Sequence, residues 1–293
     1  MSQSTLPRAT NTRAGIFWMM MTMLMFVCMD TCAKLMVQIY PTMQVVWARY
    51  FFQVLILLIV LAPKLTSLVK TASLKFQLLR SMFLLGATLC FFTGLGTVQL
   101  AEASSIMYTA PLLVTALAPF ILKEKVGFRR WISIVIGFVG AMVIIRPGHG
   151  PLGAGAFWIL GAATCYAFYQ LSTRALSHQD SPLTTLFYSA LLGCAIMTAV
   201  VPFHFEMPDL WGWFVMFLAG LFGTIGHYCM IQAFTNAEAS AVSPYTYSNL
   251  IWATLIGFIL FGDVPDVWTY VGAIIIIASG LYIMHRENIK SKT

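Results

Sequence analysis

The chain has 293 residues, of which 59% are hydrophobic and only 9% charged, whereas soluble globular domains carry about 25% charged residues. That balance excludes a soluble enzyme or binding module and points to a bilayer. The net charge of +7 does not make a nucleic-acid site, because the basic residues are scattered between apolar runs and form no continuous patch with interleaved aromatics.

A helix needs roughly 20 apolar residues to cross a hydrocarbon core of about 30 Å. Runs of that kind predict ten spans, at 14–38, 42–62, 78–99, 102–122, 130–146, 153–175, 183–202, 210–234, 238–261 and 265–285. The first follows Arg8 and Arg13 but lacks a small-residue cleavage site, so it reads as a retained helix and not as a signal peptide. It contains VCMDTCAKLM at Val27–Met36, which sets Asp30 and Lys34 one turn apart in an apolar run. Span two carries Trp47 and Arg49. Span four opens with LAEASSI at Leu100–Ile106, placing Glu102 at a helix start and Tyr108 inside, and Pro111 and Pro119 should bend it. Span six holds Tyr166, Tyr169 and Gln170; span eight holds Gly220, Gly223 and Gly226, a spacing that lets a neighbouring backbone approach closely, followed by His227. Trp211 and Trp213 at its start read as interface residues. Span nine opens with NAEASAV at Asn236–Val242, containing Glu238, and continues through Pro244, Tyr245, Tyr247, Asn249 and Trp252. The six cysteines lie inside spans with no C-x-x-C pair, so neither a disulfide framework nor a metal site is expected.

Charge sets the expected orientation. With the N-terminus in the cytoplasm, most of the 17 basic residues fall on inner segments, among them Arg8, Arg13, Lys64, Lys70, Lys75, Arg80, Lys123, Lys125, Arg129, Arg130, Arg174, Arg286, Lys290 and Lys292. Arg146 lies outside, where the loops carry Glu206, Asp209, Asp263 and Asp266. The positive-inside rule therefore puts both termini in the cytoplasm of a multi-pass protein of the inner or plasma membrane.

The chain also repeats itself. LAEASSI answers NAEASAV, GIFW at Gly15–Trp18 answers GAFW at Gly155–Trp158, and Lys34 corresponds to Arg174. Two units of five helices follow, and because five is odd the second enters the membrane in the opposite sense. The expected fold is an all-α integral membrane protein with ten transmembrane helices arranged as two inverted five-helix repeats. Its parts are a tail at 1–13, repeats at 14–148 and 149–286, and a tail at 287–293. Inverted repeats of this kind build secondary transporters with a site near the midplane between the halves.

A charge at the centre of a membrane helix costs about 2.5–3.5 kcal/mol on insertion scales, so it normally faces protein or water. With midpoints near Phe26 and Phe52, spans one and two place Asp30 and Arg49 at nearly equal depth, each about 4–6 Å to the outer side. Lys34 lies a turn further out on the same face as Asp30. Asp30 can neutralise Lys34 or Arg49, and one carboxylate against two cations leaves a positive charge over. Either Lys34 snorkels to the interface, or a substrate anion answers the charge, held by the two-pronged guanidinium. In the second repeat Gln170 and Ser189 stand where Asp30 and Arg49 stand in the first, so the cavity is chemically asymmetric. Arg49, Asp30, Lys34, Trp47, Tyr108, Tyr166, Tyr169, Gln170, Tyr245, Tyr247, Asn249 and Trp252 are the candidate substrate contacts. Helix capping is the structural reading of Glu102 and Glu238, and packing that of His227; proton coupling is the functional reading of all three.

The repeated A-E-A-S, the LKEKVGFRRW segment at Leu122–Trp131 and GFVGAMVIIRPG at Gly137–Gly148 together resemble the drug/metabolite transporter superfamily, in particular EamA-type carriers. Within that family, D-x-x-x-K at Asp30–Lys34, Arg49 and PYTYSNLIWA at Pro244–Ala253 resemble a branch that includes S-adenosylmethionine carriers of intracellular bacteria and a eukaryotic organic-anion branch. The resemblance implies cargo bound in a central cavity and exposed alternately to each side, and since other relatives export amino acids it leaves the cargo open. The expected function is secondary or exchange transport of a small polar metabolite, carboxylate-bearing and amino-acid-like. The alternatives are export of amphiphilic or cationic compounds, in which Asp30 dominates, and an intramembrane enzyme, for which no H-E-x-x-H, G-x-S-x-G or nucleotide-binding loop is present. The expected partners are a small-molecule substrate and membrane lipid, with no cofactor and no nucleic acid; the oligomeric state is left open.

Overall fold

The computed structural model describes residues 11–62, 71, 73–121, 126–146, 153–176, 180–237 and 239–290, without the side chains of 61, 174–176, 182, 239–240, 243 and 285–290. Glu238, Arg8, Lys64, Lys70, Lys123, Lys125 and Lys292 lie outside the described residues, as do the side chains of Arg174, Arg286 and Lys290. Every regular element described is helical. The first half comprises α1 (Thr12–Val37), α2 (Thr42–Leu61), α3 (Leu74–Leu95), α4 (Leu100–Met107), α5 (Thr109–Ile121) and α6 (Phe128–Ile145). The second comprises α7 (Gly153–Leu176), α8 (Pro182–Val200), α9 (Leu210–Asn236), a short α10 (Ala239–Val242), a 3-10 segment at Ser243–Tyr247, α11 (Ser248–Phe261) and α12 (Val267–Lys290).

Among the described residues, eight segments are long and apolar enough to cross a membrane. The sequence leads to ten. Of the other two, α7 is 24 residues long but mixes glycine, tyrosine and glutamine into its apolar run. The ninth expected span is not one helix: the 3-10 segment divides it and leaves α11 with 14 residues.

The expected fourth span is divided as well, and proline chemistry accounts for both breaks. Pro111 cannot donate to the carbonyl of Met107, four residues back, and its ring crowds that carbonyl, so α4 ends at Met107. Pro244 acts likewise just after α10, and the chain continues as 3-10 turns. Pro119 remains inside α5. The two breaks face each other: the Tyr108 hydroxyl donates to the Thr246 carbonyl oxygen at 3.2 Å, and the Tyr108 and Tyr247 rings lie 4.9 Å apart.

Packing follows the internal repeat. Helix α1, the first of its half, runs along α9, the third major helix of the other; α7 packs in the same way along α3. The repeat-equivalent glycines mark both contacts. A side chain at Gly15 would strike Ala237 and the Ala233 carbonyl of α9, and one at Gly155 would strike Thr97, Val98 and the Gly94 carbonyl at the end of α3. The last helix of each half, α6 and α12, cross where Gly140 and Gly272 bring backbone against backbone. Small residues at such crossings allow the close approach that drives helix association in lipid. The result is two interlocked halves in which the helices of one are held by those of the other.

Candidate functional site

The Gly220, Gly223 and Gly226 face of α9 decides where the buried charges go. A Cβ at Gly220 would stand 2.5 Å from Cβ of Phe52 and 3.2 Å from the Arg49 carbonyl oxygen; one at Gly223 would stand 3.0 Å from the Met29 sulfur; one at Gly226 would stand 2.7 Å from the Phe26 ring. With no side chains there, α9 draws α1 and α2 against itself and turns Asp30 and Arg49 inward.

Arg49 is 4% exposed. Its Nε donates to the Met29 sulfur at 3.2 Å and its Nη1 to the Thr88 hydroxyl at 3.3 Å, and the guanidinium lies over the Tyr50 ring at 4.6 Å. Tyr50 is itself fixed by a 3.0 Å hydrogen bond between its hydroxyl and Thr88. All these partners are neutral. Asp30 is 9% exposed and sits in the field of Arg49, yet among the described residues it makes neither an ion pair nor a hydrogen bond. Its oxygens are not among the fully enclosed unpartnered atoms, so they border reachable space. His227 of α9 lies within the field of both Arg49 and Arg80, with its ring edge-on to Phe26 at 5.0 Å and no hydrogen-bond partner among the described residues.

Lys34 departs from the sequence expectation. It neither pairs with Asp30 nor snorkels to an interface. Its ammonium donates to Asp263 Oδ2 at 2.8 Å and to the Val98 carbonyl oxygen at 3.2 Å, and stands 4.7 Å from the Phe261 ring centre. The turn after α11, closed by Gly262 at φ 67°, delivers Asp263 to it. The same loop takes Arg146, the left-handed C-cap of α6, through an ion pair to Asp266. Partial burial of the Asp266 carboxyl opposes its ionisation, but the Thr269 amide and hydroxyl and the Arg146 guanidinium outweigh that and hold it below the usual carboxylate range. Both pairs join the two halves at one end of the bundle. Removing one member of a buried pair strands its partner and costs about 3–5 kcal/mol. Asp263→Asn is therefore expected to lower the thermal unfolding midpoint, and addition of Lys34→Met to restore most of the loss. A fully stable Asp263→Asn would show that Lys34 is not held by this pair.

Arg80 is the residue the sequence misplaced. Counted with the inner basic segments, it lies in the interior at 2% exposure, because α3 begins at Leu74 and carries it nearly two turns into the helix. Its Nε donates to Thr173 at 2.6 Å and its Nη2 to the Tyr169 hydroxyl at 2.7 Å; Nη1 donates to the Thr185 carbonyl and the Ser189 hydroxyl, each at 3.1 Å, and to Gln77 at 3.3 Å. The guanidinium also lies over the Tyr169 ring at 4.5 Å, and Tyr169 stacks on Tyr166 with centres 5.5 Å apart. Asp180 borders this cluster, accepting hydrogen bonds from Gln77 and Thr71. A polar stripe was legible: Gln77, Arg80, Ser81 and Thr88 fall on one face of α3.

The remaining candidates separate. Tyr108 and Tyr247 meet at the helix breaks, and Trp252, whose indole Nε1 is enclosed without a partner among the described residues, packs where the two largest apolar clusters join. Gln170 and Asn249 are half-buried and hold no hydrogen bond among the described residues, while Tyr245 is exposed. Trp47 donates to Thr198 at 3.0 Å and belongs to an aromatic group with Phe51, Phe205 and Trp213, apart from the charges. Glu102 accepts from the Gln99 amide at 3.3 Å at the start of its own helix, the geometry of a cap. A groove between α1, α9 and α11, lined by residues such as Leu35, Val215, Phe222 and Ile256, is apolar and offers cargo no polar contact.

The sequence profile of the EamA-like transporter family matches this chain twice, at residues 13–146 and 153–284. Similar proteins include the S-adenosylmethionine uptake transporter of Rickettsia prowazekii (strain Madrid E), 26% identical over 93% of both chains. The riboflavin transporter of Vibrio cholerae serotype O1 is 29% identical over 95% of both. A solved crystal structure, 14% identical, superposes with a TM-score of 0.63 over 92% of this chain and 95% of its own, a likeness of fold.

Proposed function

The chain belongs to the EamA-like transporter family, whose similar members carry small metabolites across membranes, and from that premise we propose that it moves an amino-acid-like zwitterion by alternating access. Asp30 receives the ammonium of the cargo and Arg49 its carboxylate. The two halves form ten spans of opposite sense with both termini in the cytoplasm, and they rock about the buried charges. Tyr108, Tyr247, Asn249 and Trp252 at the broken helices, with Gln170, supply the wall and the neutral hydrogen bonds.

The observation that carries this reading is the pair Asp30 and Arg49, both buried, in each other's field, and without an ion-pair partner among the described residues. Two buried charges in lipid-embedded helices are costly unless they are matched. A zwitterion matches both at once. Broken helices at corresponding places in both halves add support, since transporter sites form where backbone groups are released from the helical ladder. His227, half-buried and without a hydrogen bond among the described residues, is the candidate for proton coupling.

Flux into proteoliposomes tests the reading. A labelled panel of amino acids and amino-acid-like metabolites, with S-adenosylmethionine and riboflavin included because similar carriers are named for them, is expected to give saturable uptake of at least one zwitterion. That uptake should be competed by its analogues with intact amine and carboxylate, and not by those lacking either. Saturable flux of none of them would overturn the proposal.

A further inference from the structure

We propose that Arg80 is a second anion-recognising residue, so that the preferred cargo carries a distal anionic group in addition to its amine and carboxylate. The inference rests on the zwitterion reading and deepens it. Lys34 is neutralised by Asp263, and Glu102 caps its own helix. Arg49 and Arg80 remain, neither with a carboxylate within ion-pair distance among the described residues, and Asp180 meets Arg80 through Gln77. A neutral zwitterion answers Arg49 and Asp30 and leaves Arg80 without an anion in direct contact.

Arg80 stays charged under all ordinary conditions, and the partners it has are dipoles: three hydroxyls, an amide oxygen, a backbone carbonyl and the face of Tyr169. If the role were only to join α3 to α7 and α8, a neutral side chain of similar size would do so without the desolvation penalty of a buried cation. The charge has a use when an anion arrives. Position favours the same cargo for both arginines. Thr88, which holds Arg49, and Arg80 are eight residues apart on α3, about 12 Å along the axis, and His227 feels both guanidiniums. A second carboxylate or phosphate several bonds beyond the amino-acid moiety spans that interval. Tyr169, stacked on Tyr166, gives the intervening stem a flat wall.

Two matched pairs of probes test this: L-glutamate against L-glutamine, and γ-L-glutamylglycine against its C-terminal amide, each pair differing in one distal charge. The readout is ligand-induced thermal stabilisation of the purified full-length protein in nanodiscs. In the wild type the anionic member of at least one pair is expected to act at about tenfold lower concentration than its amide, roughly one matched charge interaction. Arg80→Gln should bring the ratio close to one while leaving the amide's own response in place. Tyr169→Phe, which removes a hydroxyl and keeps the charge, should preserve the ratio, and Arg80→Lys should keep part of it should Arg80→Gln fail to fold. Equal response to both members of each pair in the wild type, or an unchanged ratio without the Arg80 charge, overturns this inference and leaves the zwitterion reading standing. No response to any of the four overturns this inference as well, while the zwitterion reading stands or falls with the flux panel.

Discussion

Arg49→Ala is expected to abolish saturable transport, with cargo affinity falling about 30-fold or more, while the protein still accumulates and folds. The size of the effect follows from the partner left behind. A charge-assisted, two-pronged contact to a carboxylate, lost from a site shielded from water, is worth about 2–5 kcal/mol, or between one and four decades in affinity. The structural share of Arg49 is smaller: one bond to a thioether, one to a threonine hydroxyl, and contact with the Tyr50 ring. Tyr50 keeps its own bond to Thr88 when the guanidinium is removed. Deleting a buried cation also ends its desolvation cost, which offsets much of the lost packing. Arg49→Lys separates charge from geometry, because a point charge on a flexible stem attracts the carboxylate but cannot grip both oxygens. It is expected to retain transport at a KM raised by about tenfold, close to 1.4 kcal/mol. Proteoliposome flux gives KM and maximal rate, and thermal unfolding reports the fold. An Arg49→Ala protein that folds and transports with unchanged KM would remove the basis of the proposed cargo chemistry.

The sequence and the structure agree where a single helix or a local rule decides the outcome, and part where the neighbour decides. Apolar runs, the repeated A-E-A-S and the paired GIFW and GAFW motifs foretold the long helices and the internal duplication, and the crossings of α1 with α9 and of α3 with α7 place Gly15 and Gly155 in equivalent contacts. Depth counting along spans one and two puts Asp30 and Arg49 at nearly equal depth, and the structure buries both. Lys34 was legible as a buried charge but not as the partner of Asp263, which lies 229 residues away in a loop whose position depends on Gly262 and the packing of α12. Arg80 was missed for a different reason. A cation near a predicted span boundary satisfies the positive-inside rule whether it points to water or to the core, and only the earlier start of α3 and the arrival of Thr173, Thr185 and Ser189 from the other half make it interior. The helix breaks show the same limit. Proline predicts that a helix is disturbed, but that both disturbances meet through Tyr108 and Thr246 is a property of the assembled halves.

Gly272→Ala is expected to prevent accumulation of folded protein, whereas Gly161→Ala, an identical chemical change in another helix, should leave stability equal to the wild type or slightly above it. Intrinsic propensity pushes both substitutions the same way, since alanine is favoured over glycine inside a helix by about 1 kcal/mol. Space separates them. A Cβ at position 272 would stand 2.5 Å from the Gly140 carbonyl oxygen, and it would also strike the Ile144 side chain. A backbone carbonyl inside a helix cannot swing aside, so α6 and α12 must part. Overpacking of this kind costs about 1–3 kcal/mol even where side chains can yield, and here the separation also forfeits contacts along the whole crossing. At position 161 the new methyl meets only the Cys90 sulfur at 3.8 Å, an ordinary contact distance. Fluorescence-detected size-exclusion profiles and unfolding midpoints of the two variants would make the comparison. A well-folded Gly272→Ala would mean that the last helices of the two halves do not cross at their glycines. The interlocking of the repeats, on which the burial of Asp30, Arg49 and Arg80 depends, would then need another account.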